Sequence, residues 1–419
     1  QLNLTKNTEF HIDSIIIKGD AKIVPVYLYN YLGIKPGDLY NESLVSKISS
    51  RLRELPFVEE AKPFKVIFTE ESSKIILHLA GKKASRFNGI LGVLPNNKTT
   101  GKLLLTGEAR LKLQNSFGRG ELINLDWRKL QVNTQDLKVR FIYPFILSSP
   151  FGVDFKLTLY KKDTLYLDLG KNFGIQYLLS GANYLKVFIN NKKTTLLSTK
   201  GLENTTTLPP HADVSTTIYG LGYKTERLDY RLNPRKGFLF NISGGAGNKN
   251  IIKNPGINPE LYDSLELKST ELDFDIEIGI FRPIKNRSVI HFGVKAAYLS
   301  SKSIFENELF RIGGINILRG FDEESILASA YSVFTVEYRY LLEQNSYLYL
   351  FLDGAYYENE YSKSNGLGDW LDTPFGIGAG ISFETKAGIF SINYAIGQQK
   401  GNPLNLRSAK IHFGIVNRF

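Results

Sequence analysis

The run ELDFDIEIGIF, residues 271–281, decides the architecture of this chain. Successive side chains of an extended strand point to opposite faces. Leu272, Phe274, Ile276, Ile278 and Ile280 therefore share one face, and Glu271, Asp273, Asp275 and Glu277 share the other. A soluble sandwich has no place for four carboxylates in a row, whereas a barrel with lipid outside and water inside accepts both rows. The same alternation sets Ile123, Leu125 and Trp127 against Asn124, Asp126 and Arg128, and it returns at 136–141 and 289–298.

Outward from this run the pattern repeats. From Phe87 to Phe419 there is no helical period, only alternating runs of about ten residues. Short turns at 115–120, 283–287 and 386–388 alternate with longer loops at 198–213, 248–264 and 358–372. That asymmetry predicts an antiparallel transmembrane β-barrel over 85–419, about 16 strands, with short periplasmic turns and long loops outside. The 23 Tyr and 27 Phe suit strands. No window approaches the ~18 apolar residues of a membrane helix.

Composition narrows the chemistry. With no Cys, disulfides and thiolate metal sites are excluded, and His11, His78, His211, His291 and His412 have no ligand spacing, so no metal is expected. There is no G-x-S-x-G, H-E-x-x-H or phosphate loop, so neither an enzyme nor a cofactor is expected. The net charge of +11 comes from Lys and Arg dispersed among acids, which predicts a solvated, water-lined surface and no nucleic-acid partner. A chain without Met that opens on Gln1 reads as a product whose signal peptide has been removed.

Residues 1–84 differ in texture. Ile12, Ile15 and Ile17 form a first strand, and Pro25 opens a helix that Gly33 stops. Asn41 caps a second helix with an apolar face at Leu44, Ile48, Leu52 and Leu55, with Tyr40 placed to staple onto Val45. Strands at 62–68 and 74–80 follow, which gives a small α+β domain.

The connection LFRIGGINILRGFDEESIL, residues 309–327, lies within a long loop, 301–327, and carries too much apolar weight for a solvated linker. On the next two strands, YSVFTVEYRYLL (331–342) and YLYLFLDGAYY (347–357), alternation turns Glu337 and Asp353 inward. Two arrangements fit. Either Arg319 folds into the lumen and forks onto one or both carboxylates, with Gly320 allowing close approach and Phe321 wedging the loop, or Arg319 is solvated and the acids are balanced by water or Arg339.

The phrase IKPGDLYNESLVSKISSRLRELPFVEEA (34–61) resembles the POTRA module, a periplasmic peptide-docking unit. The GG-x4-RGF run from Gly313, the E-Y-R at Glu337, the F-L-D-G at Phe351 and GIGAGISF at 376–383 resemble the signature of the BamA/TamA family of outer-membrane assembly barrels. That resemblance implies a lumen-folded loop in which Arg319, Gly320 and Phe321 form the tip and Glu337 and Asp353 the wall. A single POTRA module departs from BamA-type members, which have several.

At the chain's end Ile411, Phe413, Ile415 and Phe419 form an outward row that Asn417 interrupts. Their partner is the first strand, 87–93, which Gly89 and Gly92 weaken, so a lateral seam marked by Gly89, Gly92, Phe413 and Phe419 should be the softest in the barrel. The implied function is insertion or translocation of unfolded outer-membrane client polypeptides. It would take place in the outer membrane of a Gram-negative-type bacterium, with the POTRA domain in the periplasm and periplasmic or lipoprotein partners. Three other readings fit the same sequence: a two-partner-type secretion pore, the membrane anchor of a patatin-like lipase domain absent here, and a passive scaffold barrel in a larger complex.

Overall fold

The computed structural model describes residues 9–69, 72–95, 103–131, 133–179, 183–202, 205–230, 233–385, 388–401, 404 and 409–418. Its first part is a three-stranded sheet with helices on one face, in the order β1 (His11–Lys18), α1 (Pro25–Leu32), α2 (Glu42–Val45), α3 (Ile48–Glu54), β2 (Val58–Phe68) and β3 (Ser72–Gly81). β3 is central, parallel to β1 and antiparallel to β2. Ile75, Leu77 and Leu79 on β3 pack against Leu28 and Leu32 of α1 and Ile48 and Leu52 of α3, all fully buried.

Local chemistry sets the element ends. α1 has Pro25 in its first turn and stops at Gly33 in the left-handed region at φ 70, whose N–H returns to the Tyr29 carbonyl. Asn41 caps α2 through its side chain, which accepts from the Leu44 N–H. The single helix expected from Asn41 is two, because the Lys47 N–H bonds Leu44, three residues back, and tightens the turn. That shift buries Val45 in place of Leu44. The Tyr40 ring stands edge-on to Phe68, 5.0 Å between centroids. A register shift between Ile12 and Ser14 lets Ile12 and Ile15 share the buried face of β1.

The second part is a closed antiparallel barrel running from Arg86–Pro95 to Lys410–Arg418 and assigned as seventeen strand segments. Leu371–Asp372 and Phe375–Thr385 both pair with Tyr347–Glu358 in one continuous register. The break between them falls at Pro374, which lacks an N–H but still accepts from the Ala355 N–H at 2.8 Å. Counted as staves, the seventeen segments are therefore sixteen. In the strand Lys268–Lys285, Leu272, Phe274 and Ile280 are exposed on the outside, while Glu271, Asp273, Asp275 and Glu277 line internal cavities. Among the described residues no helix is long and apolar enough to cross a membrane; the strands carry the apolar outer surface.

The two ends of the barrel differ. At the short-turn end the Val24 N–H donates to the Gly118 carbonyl at 2.8 Å, Asn115 donates to the Lys22 carbonyl at 2.9 Å, and Tyr27 meets Phe145 edge-on at 5.4 Å. Gly120 makes room there, since a Cβ on it would fall 2.0 Å from the Tyr27 ring. At the other end, Ala212, Ile257, Tyr262 and Phe305 of the connections there join Val214 and Ile251 of the adjoining strands in one apolar cluster. Two stretches that read as loop or turn belong to strands: 248–252 ends Gly237–Ile252, and 283–285 ends Lys268–Lys285 with a register shift at Pro283.

Candidate functional site

The connection between Ser288–Ser301 and Ala330–Leu341 folds back into the barrel. A short ladder of Phe310–Ile312 with Ile326–Ala328 closes its neck. Beyond it Gly313, Gly314 and Gly320 turn the chain through φ 114, 90 and 93, which only glycine adopts readily. Ile312, Leu318, Phe321 and Ile326 then pack on Val333 and Ala355 of the wall, which is why this apolar stretch holds a single shape.

Arg319 is the polar centre. Its Nε and Nη2 donate to the two oxygens of Asp353, each at 2.7 Å, and its Nη1 donates to Glu337 at 2.6 Å. Its backbone N–H adds a bond to Asp353 at 3.1 Å, and its guanidinium carbon lies 3.6 Å from the centroid of the Phe351 ring. Arg319 is 9% exposed, Glu337 6% and Asp353 1%, so these charges are removed from bulk water and depend on one another. Arg339 donates to the second oxygen of Glu337 at 2.7 Å, and Thr335 donates to Asp353 at 2.9 Å. Of the two arrangements the sequence left open, the lumen-folded fork onto both acids is the one observed, and Arg339 joins it.

The wall is shaped for this loop. A Cβ on Gly376 would lie 1.8 Å from the Arg319 carbonyl oxygen, and one on Gly397 would lie 2.6 Å from that of Gly320. On the same strand as Gly376, Gly378 and Gly380 receive the rings of Phe351 and Tyr349, at 2.6 and 2.3 Å from where a Cβ would stand. The spaced glycines of GIGAGISF are thus a groove for the loop backbone and for the aromatic rings beside Arg319.

Two further ties were not legible in the sequence. Arg311 lies over the Tyr160 ring at 3.8 Å and donates to the Tyr166 hydroxyl at 2.8 Å. Lys249, fully buried, donates to Glu308 and to the Ser303 carbonyl, both at 2.6 Å. Nothing in their local patterns separates them from other inward charges, because their partners come from distant strands. Among the described residues no three His, Asp or Glu side chains converge as a metal site.

The seam is short. The described ladder between the first and last strands holds only Asn417 opposite Phe87 and Arg418 opposite Arg86. The last strand instead shares seven paired positions with Gly388–Gln398, and the first shares ten with Leu103–Gln114. Gly89 and Gly92 pair with Ala109 and Thr106 on the second strand, Phe413 pairs with Ile392, and Phe419 lies outside the described residues. In the register these two pairs set, 88–94 of the first strand run opposite 416–410 of the last, but among the described residues the backbone ladder between them stops at Phe87; Gly89 and Gly92 lie in the stretch beyond it.

An apolar-faced closed barrel with charged walls and one connection tied into its lumen defines a membrane barrel with an internal loop. A family model, the Omp85 superfamily domain, matches residues 115–419, and the chain belongs to that superfamily of outer-membrane barrels. Among solved structures it is similar to BamA from Haemophilus ducreyi lacking POTRA domains 1-3, at 15% identity and a TM-score of 0.56 over 98% of this chain and 85% of that one. It is also similar to CdiB from Acinetobacter baumannii, at 13% identity and a TM-score of 0.62 over 98% and 74% of the two chains. CdiB from Escherichia coli matches at 13% identity and a TM-score of 0.53 over 99% and 91%. At these identities the likeness is one of fold. No curated protein sequence matches the chain.

Proposed function

We propose that this protein inserts unfolded outer-membrane client polypeptides into the bilayer, with the small α+β domain as a POTRA-type docking unit in the periplasm and the seam as the exit to lipid. The observation that carries this reading is that, among the described residues, a sixteen-stave barrel closes through two backbone pairs. Every other junction between staves has a longer ladder, so this one is the least costly to part. A client reaching it as an extended chain can add to the unpaired lengths of the first and last strands.

The docking unit supports the reading through β2. It is an edge strand, bulged between Glu60 and Lys65, with Ile67 and Phe68 exposed beyond the bulge. Residues 65–68 offer the client a short strand-addition site. The reading calls for no catalytic side chain and no cofactor, since client folding and burial supply the driving force, and it leaves room for periplasmic or lipoprotein partners.

A second reading, secretion through the lumen as in two-partner systems, is favoured by internal cavities of about 430 and 410 Å³ lined with charged side chains such as Lys156, Lys192 and Asp273. One experiment separates the two. Phe87 and Asn417 stand opposite each other, and the native chain has no Cys, so Phe87→Cys with Asn417→Cys should form a single defined cross-link. The oxidised protein should stop assembling clients and recover on reduction. Client assembly that continues through a fully cross-linked seam would falsify the lateral exit and favour passage through the lumen.

A further inference from the structure

The acidic triplet Asp322-Glu323-Glu324 follows directly on the Arg319-Gly320-Phe321 tip, and its three carboxylates do different things. Glu323 turns back into its own loop. It accepts from the Ile315 N–H at 2.9 Å and fills the space above Gly314, where a Cβ would fall 2.1 Å from its carboxyl carbon. Ser325 donates to the Asp322 carbonyl at 2.9 Å, and that carbonyl packs on Gly313. The turn is thereby fixed, and Asp322 and Glu324, on either side of Glu323, are left to reach outward.

They reach to opposite sides of the seam. Asp322 takes Lys410, the first residue of the last strand, at 2.7 Å. Glu324 takes Arg128, on the third strand, at 2.7 Å, and the same Arg128 nitrogen holds Asp136 at 2.6 Å. Glu324 has φ 58, a left-handed conformation that a non-glycine residue keeps only where its contacts fix it.

Position along the barrel gives these pairs their meaning. Both backbone pairs of the seam, Asn417 with Phe87 and Arg418 with Arg86, lie at the end that carries the small domain. Lys410 begins the last strand at the far end, and Arg128 lies well up the third strand from its start at Leu122. Along the far half, the ties between the seam's two sides given by the described residues are side-chain contacts through this loop.

We infer that Asp322 and Glu324 are positioning residues that tie the last strand to the third strand from inside, spanning the seam, and that this clasp holds the far half of the seam shut. The inference rests on the seam being the exit proposed above. It assigns the loop two separate tasks: Arg319 fastens it to the wall of the C-terminal strands, and the two acids bridge from that anchored loop to the last strand and, across the seam, to the third. Drawing the turn inward would release both sides of the seam together, since the two acids are two residues apart on one rigid turn.

The test uses the full chain in bilayer nanodiscs, without client, with nitroxide labels on Leu91→Cys of the first strand and Ile411→Cys of the last, in a background free of other Cys. Pulsed electron-resonance distances across the seam should be narrow in this background. Asp322→Asn with Glu324→Gln should at least double the width of the distribution, and Asp322→Lys should widen it too. Adding Lys410→Asp to Asp322→Lys should narrow it again, a rescue that general loosening cannot produce. An unchanged width in the double amide, or no rescue in the charge swap, overturns the clasp. Should the double amide fail to insert, Glu324→Gln alone carries the comparison, because Arg128 keeps Asp136. Distances read the seam and the Phe87–Asn417 cross-link reads client assembly, so failure of the clasp and failure of the exit are told apart.

Discussion

At Arg319 one guanidinium satisfies two carboxylates that the wall has already buried. Removing it leaves Glu337 with Arg339 but strips Asp353 of its charged partner, and breaking a buried pair costs about 3–5 kcal/mol, less where lumen water enters. Arg319→Ala should leave the barrel inserted, free the loop to protease at Arg311 and lower the temperature at which the folded band shifts on gels. Arg319→Lys should rescue poorly, because an ammonium cannot reach both Asp353 oxygens and Glu337 at once. Glu337→Ala with Asp353→Ala should add little to Arg319→Ala, since members of one network are not independent; full additivity in gel-shift temperature would break the network apart. The glycines give a matched pair. Gly376→Ala drives a Cβ into the Arg319 carbonyl and should release the loop as Arg319→Ala does, whereas Gly354→Ala meets nothing within 4 Å and should change gel-shift temperature hardly at all. Glu337 and Asp353 could be read from the sequence because a period of two fixes a face. Alternation left their pairing with Arg319 as one of two arrangements, and the family resemblance pointed to it; the purpose of Gly376 or Gly397 could not be read, because shape complementarity between strands leaves no local period.

At the scale of elements, alternation identified the barrel strands well and their ends poorly. The strand Lys268–Lys285 runs through Pro283 at the short-turn end, and Gly237–Ile252 runs into what reads as loop at the other end, because residues at both ends continue the ladder beyond the apolar band. The break between α2 and α3 has no breaker residue to announce it; it comes from one tightened hydrogen bond at Lys47. The edge of β2 carries a prediction. Neighbouring residues of an edge strand alternate between bonding the sheet and facing outward. Of Val66→Pro and Ile67→Pro, one should therefore unfold part of the domain, and the other should leave circular dichroism intact while weakening client capture. Capture at full strength in the variant that stays folded would place docking on another edge.

For the whole molecule, the small domain is fixed to the barrel by burial as well as by hydrogen bonds. Tyr27 packs among Tyr31, Phe57 and Phe145, and removing a buried aromatic costs about 3–5 kcal/mol in well-packed cores. Tyr27→Ala should leave the barrel's heat-modifiability unchanged and expose Lys82 and Lys83 to trypsin; resistance equal to that of the unmodified protein would show that Tyr27 does not hold the domain in place. The domain's footholds are Asn115 and Gly118, Phe145, and Leu178, which lie in the turns or at the strand end on the small-domain side of the barrel's N-terminal strands. The strongest anchor of the folded-in loop is instead on Glu337, Asp353 and Gly376, in the C-terminal half. The molecule thus divides into two carriages meeting at the seam, one bearing the receiving platform and the other bearing the bolt. Under the lateral exit proposed above, a client handed from platform to seam would move with the first carriage, and the stroke admitting it to lipid would be the second carriage swinging away, with its bolt withdrawn, from a partner that stays still.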